Sequence, residues 1–554
     1  MREKGADRKG GTVTAERVEA EEMGMYVNRG NDSFARARKS RIYVDKTGLI
    51  EYTNEVVDTE QCYICNSRPR RFGKSMAAGM LAAYYMKGCD SRELFEGLEI
   101  AGKPSFEEHL NQYDVIHLDM AYLLVQNKSA VDTVAFMQKC VIDELKVIYP
   151  GLLTDEDQAL PFALSKINDA AGARFVIIID EWDAIFRECE TDKQGQQEYV
   201  RLLRGLFKGE QSKDFVVLAY ITGILPIKRY NSESALNNFR EFTMLNPKGL
   251  SEYIGFTEEE VKDLCETYHM DFQETARWYD GYSFRKLKHV YNPNSVVNAM
   301  LDGEYDNYWS NTVSYGSLKE YICLNFEGLR DLVIQMFAGA RCKVDVDTFQ
   351  NDMTSFRSRD DVLTALIHLG YLAYDADTGE AYVPNEEVRT AFVRAVKDTD
   401  WEPVTEAIRD SDRLLHATWN KEEDLVAEGI DKVHRGNTSI LQYNNENALS
   451  CVVTLAYYNA VNDYTLIREM PSGKGYADIV FLPRRYSTKP ALVVELKYDQ
   501  SVESAVAQIK ERRYPEALKE YRGNILLVGI SYDKEEKRHF CKIEEWEKEQ
   551  DILG

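Results

Sequence analysis

Two groups of residues in this chain have the types and spacing to act on phosphates. The first lies in two segments. Ser67-Arg-Pro-Arg-Arg-Phe-Gly-Lys-Ser75 follows a strand-like approach and opens a helix-like run, and Phe175-Val-Ile-Ile-Ile-Asp-Glu-Trp-Asp183 comes later in the chain. A phosphate-binding loop works because consecutive backbone N–H groups point inward at the head of a helix, where the helix dipole also favours anions. Lys74 would reach the terminal phosphates, Ser75 would place its hydroxyl on Mg²⁺, and Gly73 would allow close backbone approach. Arg70, Arg71 and Phe72 complete the loop. Arg68 stands where the usual pattern has another Gly. Arg68, Arg70 and Arg71 could neutralise phosphate charge in cis or contact a neighbouring domain. In the second segment, Val176–Ile179 must be a buried strand that delivers Asp180 and Glu181 at its C-terminal end, where ligands bind in open α/β sheets. Asp180 would hold Mg²⁺ and Glu181 would polarise the attacking water. The bland alternative is two solvated acids in a strand-to-helix loop. A third apolar run, Phe215–Ile221, ends at Thr222-Gly223. Thr222 could sense a γ-phosphate there, or could belong to an ordinary turn. Together these residues point to ATP with Mg²⁺.

The second group is near the C-terminus. Tyr476–Leu482 and Ala491–Lys497 both read as strands, separated by the polar turn 483–490. Residues two apart in a strand share a face, so Glu495 and Lys497 point the same way. If the strands pair as a hairpin, Asp478 falls beside Glu495. Two carboxylates give hard oxygen ligands to Mg²⁺ or Mn²⁺. With Lys497 to orient or deprotonate a nucleophile, the arrangement suits metal-assisted phosphodiester cleavage. Glu446, on an expected helix 445–458, could add a ligand. Gln508, Arg512 and Tyr514, on an expected helix 508–514, could face the same site. A surface Glu–Lys pair on an edge strand is the plain alternative.

The elements that must position these groups follow from periodicity. Tyr43–Ile50 reads as the first ordered segment, and residues 1–40 as a disordered tail. From 41 to 250, Val/Ile-rich runs at 63–66, 115–118, 176–179 and 216–221 alternate with amphipathic stretches such as 75–86. That pattern argues for a parallel sheet covered on both faces. Residues 251–325 are helical and aromatic-rich, readable either as a lid over the nucleotide or as a packing domain. Within 326–400, helices at 329–337 and 361–369 followed by a hairpin at 370–384 outline a winged helix. The 361–369 helix carries no strong Lys/Arg cluster, so packing is favoured over DNA binding. A helical linker at 401–435 leads to a last α/β domain at 436–554. The expected fold class is therefore α/β, with a phosphate-loop parallel-sheet domain, a helical and winged-helix-like middle, and a restriction-endonuclease-like end.

The composition of 554 residues with net charge −24 argues against coating nucleic acid with the whole surface, since phosphates need a positive field. It leaves room for a local basic groove. The ten cysteines are scattered. Cys62 and Cys65 have no second pair at zinc spacing, so free thiols in a reducing cytoplasm are expected. No run approaches the roughly 20 apolar residues of a membrane span. The expected location is cytoplasmic, without membrane contact.

On these residues the chain resembles the bacterial AAA-ATPase-like proteins with a C-terminal PD-(D/E)xK nuclease-like domain. The matching segments are Tyr43-Val-Asp-Lys-Thr47, Ser67–Ser75, Ile177-Ile-Ile-Asp-Glu181, Trp278-Tyr-Asp-Gly-Tyr282, Tyr291-Asn-Pro293, Pro384-Asn-Glu-Glu-Val388, Asp478, Glu495-Leu-Lys497 and Gln508…Tyr514. An Arg at the missing-Gly position is usual in that family. The resemblance implies ATP at Lys74 and Ser75, Mg²⁺ at Asp180, and a metal site at Asp478 and Glu495, with Asp45 and Lys46 in support. Tyr476-Ala477 stands where related groups carry Gly-Arg, so a basic contact is missing there. Ring-forming ATPases of this kind borrow an Arg from a neighbouring copy, so a homo-oligomer is open, with no Arg assigned. The expected function is an ATPase whose nucleotide state gates a Mg²⁺-dependent nuclease acting on nucleic acid, DNA above all, in defence or DNA processing. The competing expectation is an ATP-switched scaffold whose nuclease fold binds without cutting.

Overall fold

The computed structural model describes residues 24–227, 236–309, 314–324, 326–337, 339–350, 356–397, 401–436, 446–472, 475–484, 487–514, 518, 521 and 523–546. It divides into two compact units: residues 1–68 with 73–242, and residues 69–72 with 243–554. The first unit therefore closes at Phe242, short of the expected boundary at 250.

The first unit is built on β1 (Tyr63–Ser67), β2 (Asp114–Asp119), β3 (Phe175–Asp180), β4 (Val216–Gly223) and β5 (Arg240–Phe242). They form one parallel sheet in the order β2-β3-β4-β1-β5. Every residue of β1, β3 and β4 is buried, which requires cover on both faces and explains the long apolar runs of β3 and β4. The helix after the phosphate loop is Lys74–Tyr85; Met80, Leu81 and Tyr84 are buried in it, while Met76 is exposed. The expected disordered tail at 1–40 is corrected for residues 24–40. Helix Asp32–Arg38 buries Phe34 against Phe95, and Val27 bridges to Ile116 on the β2 edge. Apolar anchors were present there, but too sparse to read as an element. Residues 1–23 lie outside the described residues.

In the second unit, the first region carries the short antiparallel pair β6 (Phe256–Thr257) and β7 (Val290–Tyr291) and helices Glu258–Tyr268, Phe272–Tyr279 and Pro293–Asp302. A capping box between Thr257 and Glu260 starts the first, and the Asn292 side chain caps the third. Gly281, in the Trp278–Tyr282 motif, has φ +116, and a Cβ there would lie 2.1 Å from Pro384 O. Asn385 Nδ2 donates to Asp280 O at 2.7 Å, and Tyr382 Oη to Gly281 O at 2.9 Å. Two of the motifs quoted above are thus a single packing joint. Helices Leu329–Phe337 and Arg359–Leu369 are followed by β9 (Ala373–Asp375) and β10 (Glu380–Tyr382), with β8 (Cys342–Lys343) joining as a third strand.

The C-terminal sheet runs β11 (Tyr464–Ser472), β12 (Gly475–Pro483), β13 (Ala491–Tyr498), β14 (Ile525–Asp533) and β15 (Arg538–Glu545), in that order. Only β13 and β14 are parallel. Helix Val502–Glu511 packs on one face; Gly529 of β14 lets Val502 and Val506 approach closely. On the other face, Tyr498 stacks on Tyr532, which meets His434. The expected linker 401–435 is also corrected. Its helices Glu402–Trp419 and Glu423–Gly436 belong to this sheet's cover, since Glu423 accepts from Ile543 N at 2.7 Å and Asp431 meets His539 Nδ1 at 2.6 Å. Their amphipathic pattern specified helices but not what they would cover.

Candidate nucleotide and metal sites

At the C-terminal end of the first unit's sheet, register sets Asp119 beside Asp180, Asp180 beside Thr222, and Thr222 beside Asn66. In-register residues of neighbouring strands share a face, so one polar row crosses four strands. Asp180 is 4% exposed. Burial pushes its pKa up to about 6, against a hydrogen bond from Ser75 and the charge of Lys74, while Glu181 and Asp119 add to the rise. Loop and strand therefore meet: Ser75 bonds Asp180, and Lys74 Nζ lies 3.6 Å from Glu181 Oε1. Thr222 is fully buried and among the described residues its Oγ1 has no hydrogen-bond partner; the same holds for Asn66 Oδ1. A buried hydroxyl left unpaired is costly. Beside Asp180 it fits a polar ligand, and Lys74 could take a phosphate and Ser75 with Asp180 a divalent cation.

The other loop residues have different surroundings. Arg68 is fully buried, and its Nη1 donates to Ser67 O at 2.9 Å and Phe242 O at 3.1 Å. Of the two roles open to it, phosphate neutralisation or a contact with a neighbouring domain, neither describes these bonds: its guanidinium ties backbone together. Within the second unit, Arg71 takes φ +67 and donates to Tyr308 O at 3.0 Å, and the Phe72 ring is buried 5.3 Å from Tyr282. Arg70 is exposed, and Gly73 takes φ +91 at the helix cap. Asp45 accepts from Thr47 N, Thr47 Oγ1 and Glu99 N, all at 2.7–2.8 Å, so it fixes a turn; Lys46 beside it is half-buried. Cys62 and Cys65 are buried thiols, and burial pushes Cys62 up to about 12.

In the second unit, β12 and β13 pair antiparallel with Ile479 opposite Val494, which carries Asp478 to Glu495. Leu496 N donates to Asp478 Oδ2 at 2.8 Å. Glu495 is 1% exposed, and burial raises its pKa to about 7, with Asp478 adding and Lys497 opposing. Its Oε1 accepts from Lys497 Nζ at 3.1 Å and from Gln508 Nε2. Its Oε2 is buried and has no hydrogen-bond partner among the described residues. A carboxylate oxygen left without a partner beside a second carboxylate fits a hard divalent cation, which would offset the paired negative charge. Among the described residues, no group of three or more His, Cys, Asp or Glu gathers at one point. Glu446 opens helix Glu446–Ala456, and its side chain lies outside the described residues. The expected helix 508–514 stops at Glu511; Arg513 turns at φ +54, and the turn brings Tyr514 back so that Arg512 Nη1 donates to its hydroxyl at 3.0 Å.

Sequence reasoning passed over Asn66, Asp119, Asp183 and Arg187. The Asp183–Arg187 pair has the i,i+4 spacing that would have signalled it. Asn66 and Asp119 had no local signal, because only strand order brings them into the row.

Two segments of the chain match known families. Residues 29–231 match the family described as "Predicted AAA-ATPase", and residues 444–542 match the PD-(D/E)XK nuclease superfamily. An uncharacterized protein in the vnfD 5′ region of Azotobacter chroococcum mcd 1 is 25% identical over 301 residues, which cover 51% of this chain and 53% of that protein. The chain thus spans about half the length of this curated relative. Similar solved structures include the Aeropyrum pernix ORC2 protein, 8% identical at TM-score 0.28, covering 66% of this chain and 99% of that one. Cdc6p from Pyrobaculum aerophilum is 10% identical at TM-score 0.23, covering 66% and 98%. Among the described residues, no helix is long and apolar enough to cross a membrane.

Proposed function

We propose, for a chain that joins an AAA-ATPase-like segment to a PD-(D/E)XK nuclease-superfamily segment, that ATP turnover in the first controls phosphodiester cleavage of nucleic acid, DNA above all, in the second. The observation that carries the cleavage reading is Glu495, buried beside Asp478 with one oxygen unpaired and Lys497 on its other oxygen. Asp478 and Glu495 would hold Mg²⁺ or Mn²⁺, which when bound supplies Lewis-acid charge for the scissile phosphate. Lys497 orients the nucleophile or takes its proton. Gln508 fixes the Glu495 carboxylate, and Arg512 with Tyr514 presents a positive, hydrogen-bonding edge to the phosphate backbone. In the ATPase segment, Lys74 binds phosphate, Ser75 and Asp180 hold Mg²⁺, Thr222 reads the γ-phosphate, and Glu181 polarises water. A place in the cytoplasm and a role in defence or DNA processing are part of the same proposal.

Cleavage of single- and double-stranded DNA and RNA with Mg²⁺, with and without ATP, tests it. Glu495→Ala should abolish cutting and leave ATP turnover intact. Glu181→Gln should cut turnover by about 100-fold or more while sparing ATP binding. Cutting that survives Glu495→Ala removes the catalytic assignment. Nucleic-acid binding without any cutting favours the scaffold instead.

A further inference from the structure

Glu181, whose role as water-polarising acid rests on the ATPase reading above, is held by two cations at once. Its Oε1 lies 3.6 Å from Lys74 Nζ, and its Oε2 accepts from Arg187 Nη2 at 2.5 Å. Its backbone sits at φ +52, a conformation few residues with a side chain adopt, and its N–H donates to Asp180 Oδ1 at 3.0 Å. Such a backbone persists only where its surroundings fix it.

Arg187 is anchored independently of Glu181. Its side chain is 9% exposed, and its Nε donates to Asp183 Oδ2 at 3.1 Å. Its remaining arm lies 3.9 Å from Glu188. Asp183 is fully buried, and the same Oδ2 accepts from Ile224 N at 3.1 Å and Leu225 N at 2.9 Å. Those two residues directly follow Thr222-Gly223 at the end of β4. Gly223 permits this approach, since a Cβ there would lie 2.5 Å from Asp183 Oδ1. A chain of short contacts therefore runs from the β4 terminus through Asp183 and Arg187 to Glu181.

The two cations have different prospects. A nucleotide phosphate would draw Lys74 away from Oε1, because it is a point charge on a flexible stem. Arg187 stays, because its planar fork is divided between two acids and one of them is locked to backbone. We infer that Arg187 is a positioning residue for Glu181. It holds Oε2, so that Oε1, once released by Lys74, faces the attacking water in one fixed orientation, set by the same β4 terminus that carries Thr222.

The test uses the full chain, with kcat and KM for ATP, binding of a non-hydrolysable ATP analogue, and single-turnover phosphate release. Arg187→Met should lower kcat by about 10- to 100-fold with KM and analogue affinity within about 3-fold of the parent, since aim rather than binding is lost. Arg187→Lys should restore part of the loss and covers the case in which the methionine variant does not fold. In the Glu181→Gln background, Arg187→Met should cost no further rate, because both changes act through one carboxylate. An unchanged kcat, an equal extra loss on top of Glu181→Gln, or a parallel loss of analogue binding each overturns the inference. A parent chain that does not hydrolyse ATP at all removes the ATPase reading itself, and the inference with it.

Discussion

Several acids in this chain are buried for different reasons, and the reason decides what a substitution does. Glu495 is buried with a carboxylate neighbour and, among the described residues, one oxygen without a hydrogen-bond partner, an arrangement that the proposed cation would complete. Glu387, 2% exposed, is buried with partners: its Oε1 accepts from Tyr308 N and Trp309 N, each at 2.9 Å. Burial still wins, raising its pKa from 4.5 to about 7 against the hydrogen bonds and the Arg71 charge. The native state then holds a proton that the unfolded chain has released between those values. Stability from this residue is present at low pH and is lost as pH rises through that window. Glu387→Gln keeps the acceptor oxygen and cannot ionise. Its melting temperature relative to the parent should therefore climb between about pH 4.5 and 7, as thermal melts in a pH series would show; a constant difference would contradict this assignment.

At the scale of elements, short sequence motifs turn out to be joints. Trp278–Tyr282 and Pro384–Val388 were legible as motifs but not as partners. Their meeting depends on Gly281 coming within reach of Pro384 and on Asn385 Nδ2 donating to Asp280 O at 2.7 Å. Gly281→Ala would add a Cβ in a positive-φ position against backbone that cannot yield. A loss of more than about 2 kcal/mol is expected, measured by denaturant unfolding. Strands were the most legible elements where both faces are covered, because β3 and β4 carry long apolar runs. Strands β11, β14 and β15 were passed over, although β14 is just as apolar, since nothing in the local chemistry near them called for a strand. The left-handed turn at Arg513 was equally invisible, because a non-glycine residue gives no warning of positive φ.

For the whole molecule, the division into two units cuts through the phosphate loop itself. Pro69–Phe72 cluster with the second unit and Gly73 onward with the first. Phe72 is 1% exposed. Phe72→Ala should cost about 3–5 kcal/mol, and calorimetry should show the loss in the transition of the unit that holds Tyr282. A loss confined to the other transition would put the loop wholly in the sheet unit. The sequence by itself determined the chemistry available: a Gly-Lys-Ser loop, an Asp-Glu pair after a buried strand, and two acids with a lysine on strands that could pair. These were readable because backbone-cradled phosphates and buried strands need residue types at fixed short spacings. Only the tertiary structure decided which side chains converge. It aligned Thr222 and Asn66 with Asp180, turned Arg68 to backbone, tied Arg187 to Glu181, and laid helices 402–436 over the C-terminal sheet. Strand order and register come from contacts between residues far apart in the chain, and no local pattern encodes them.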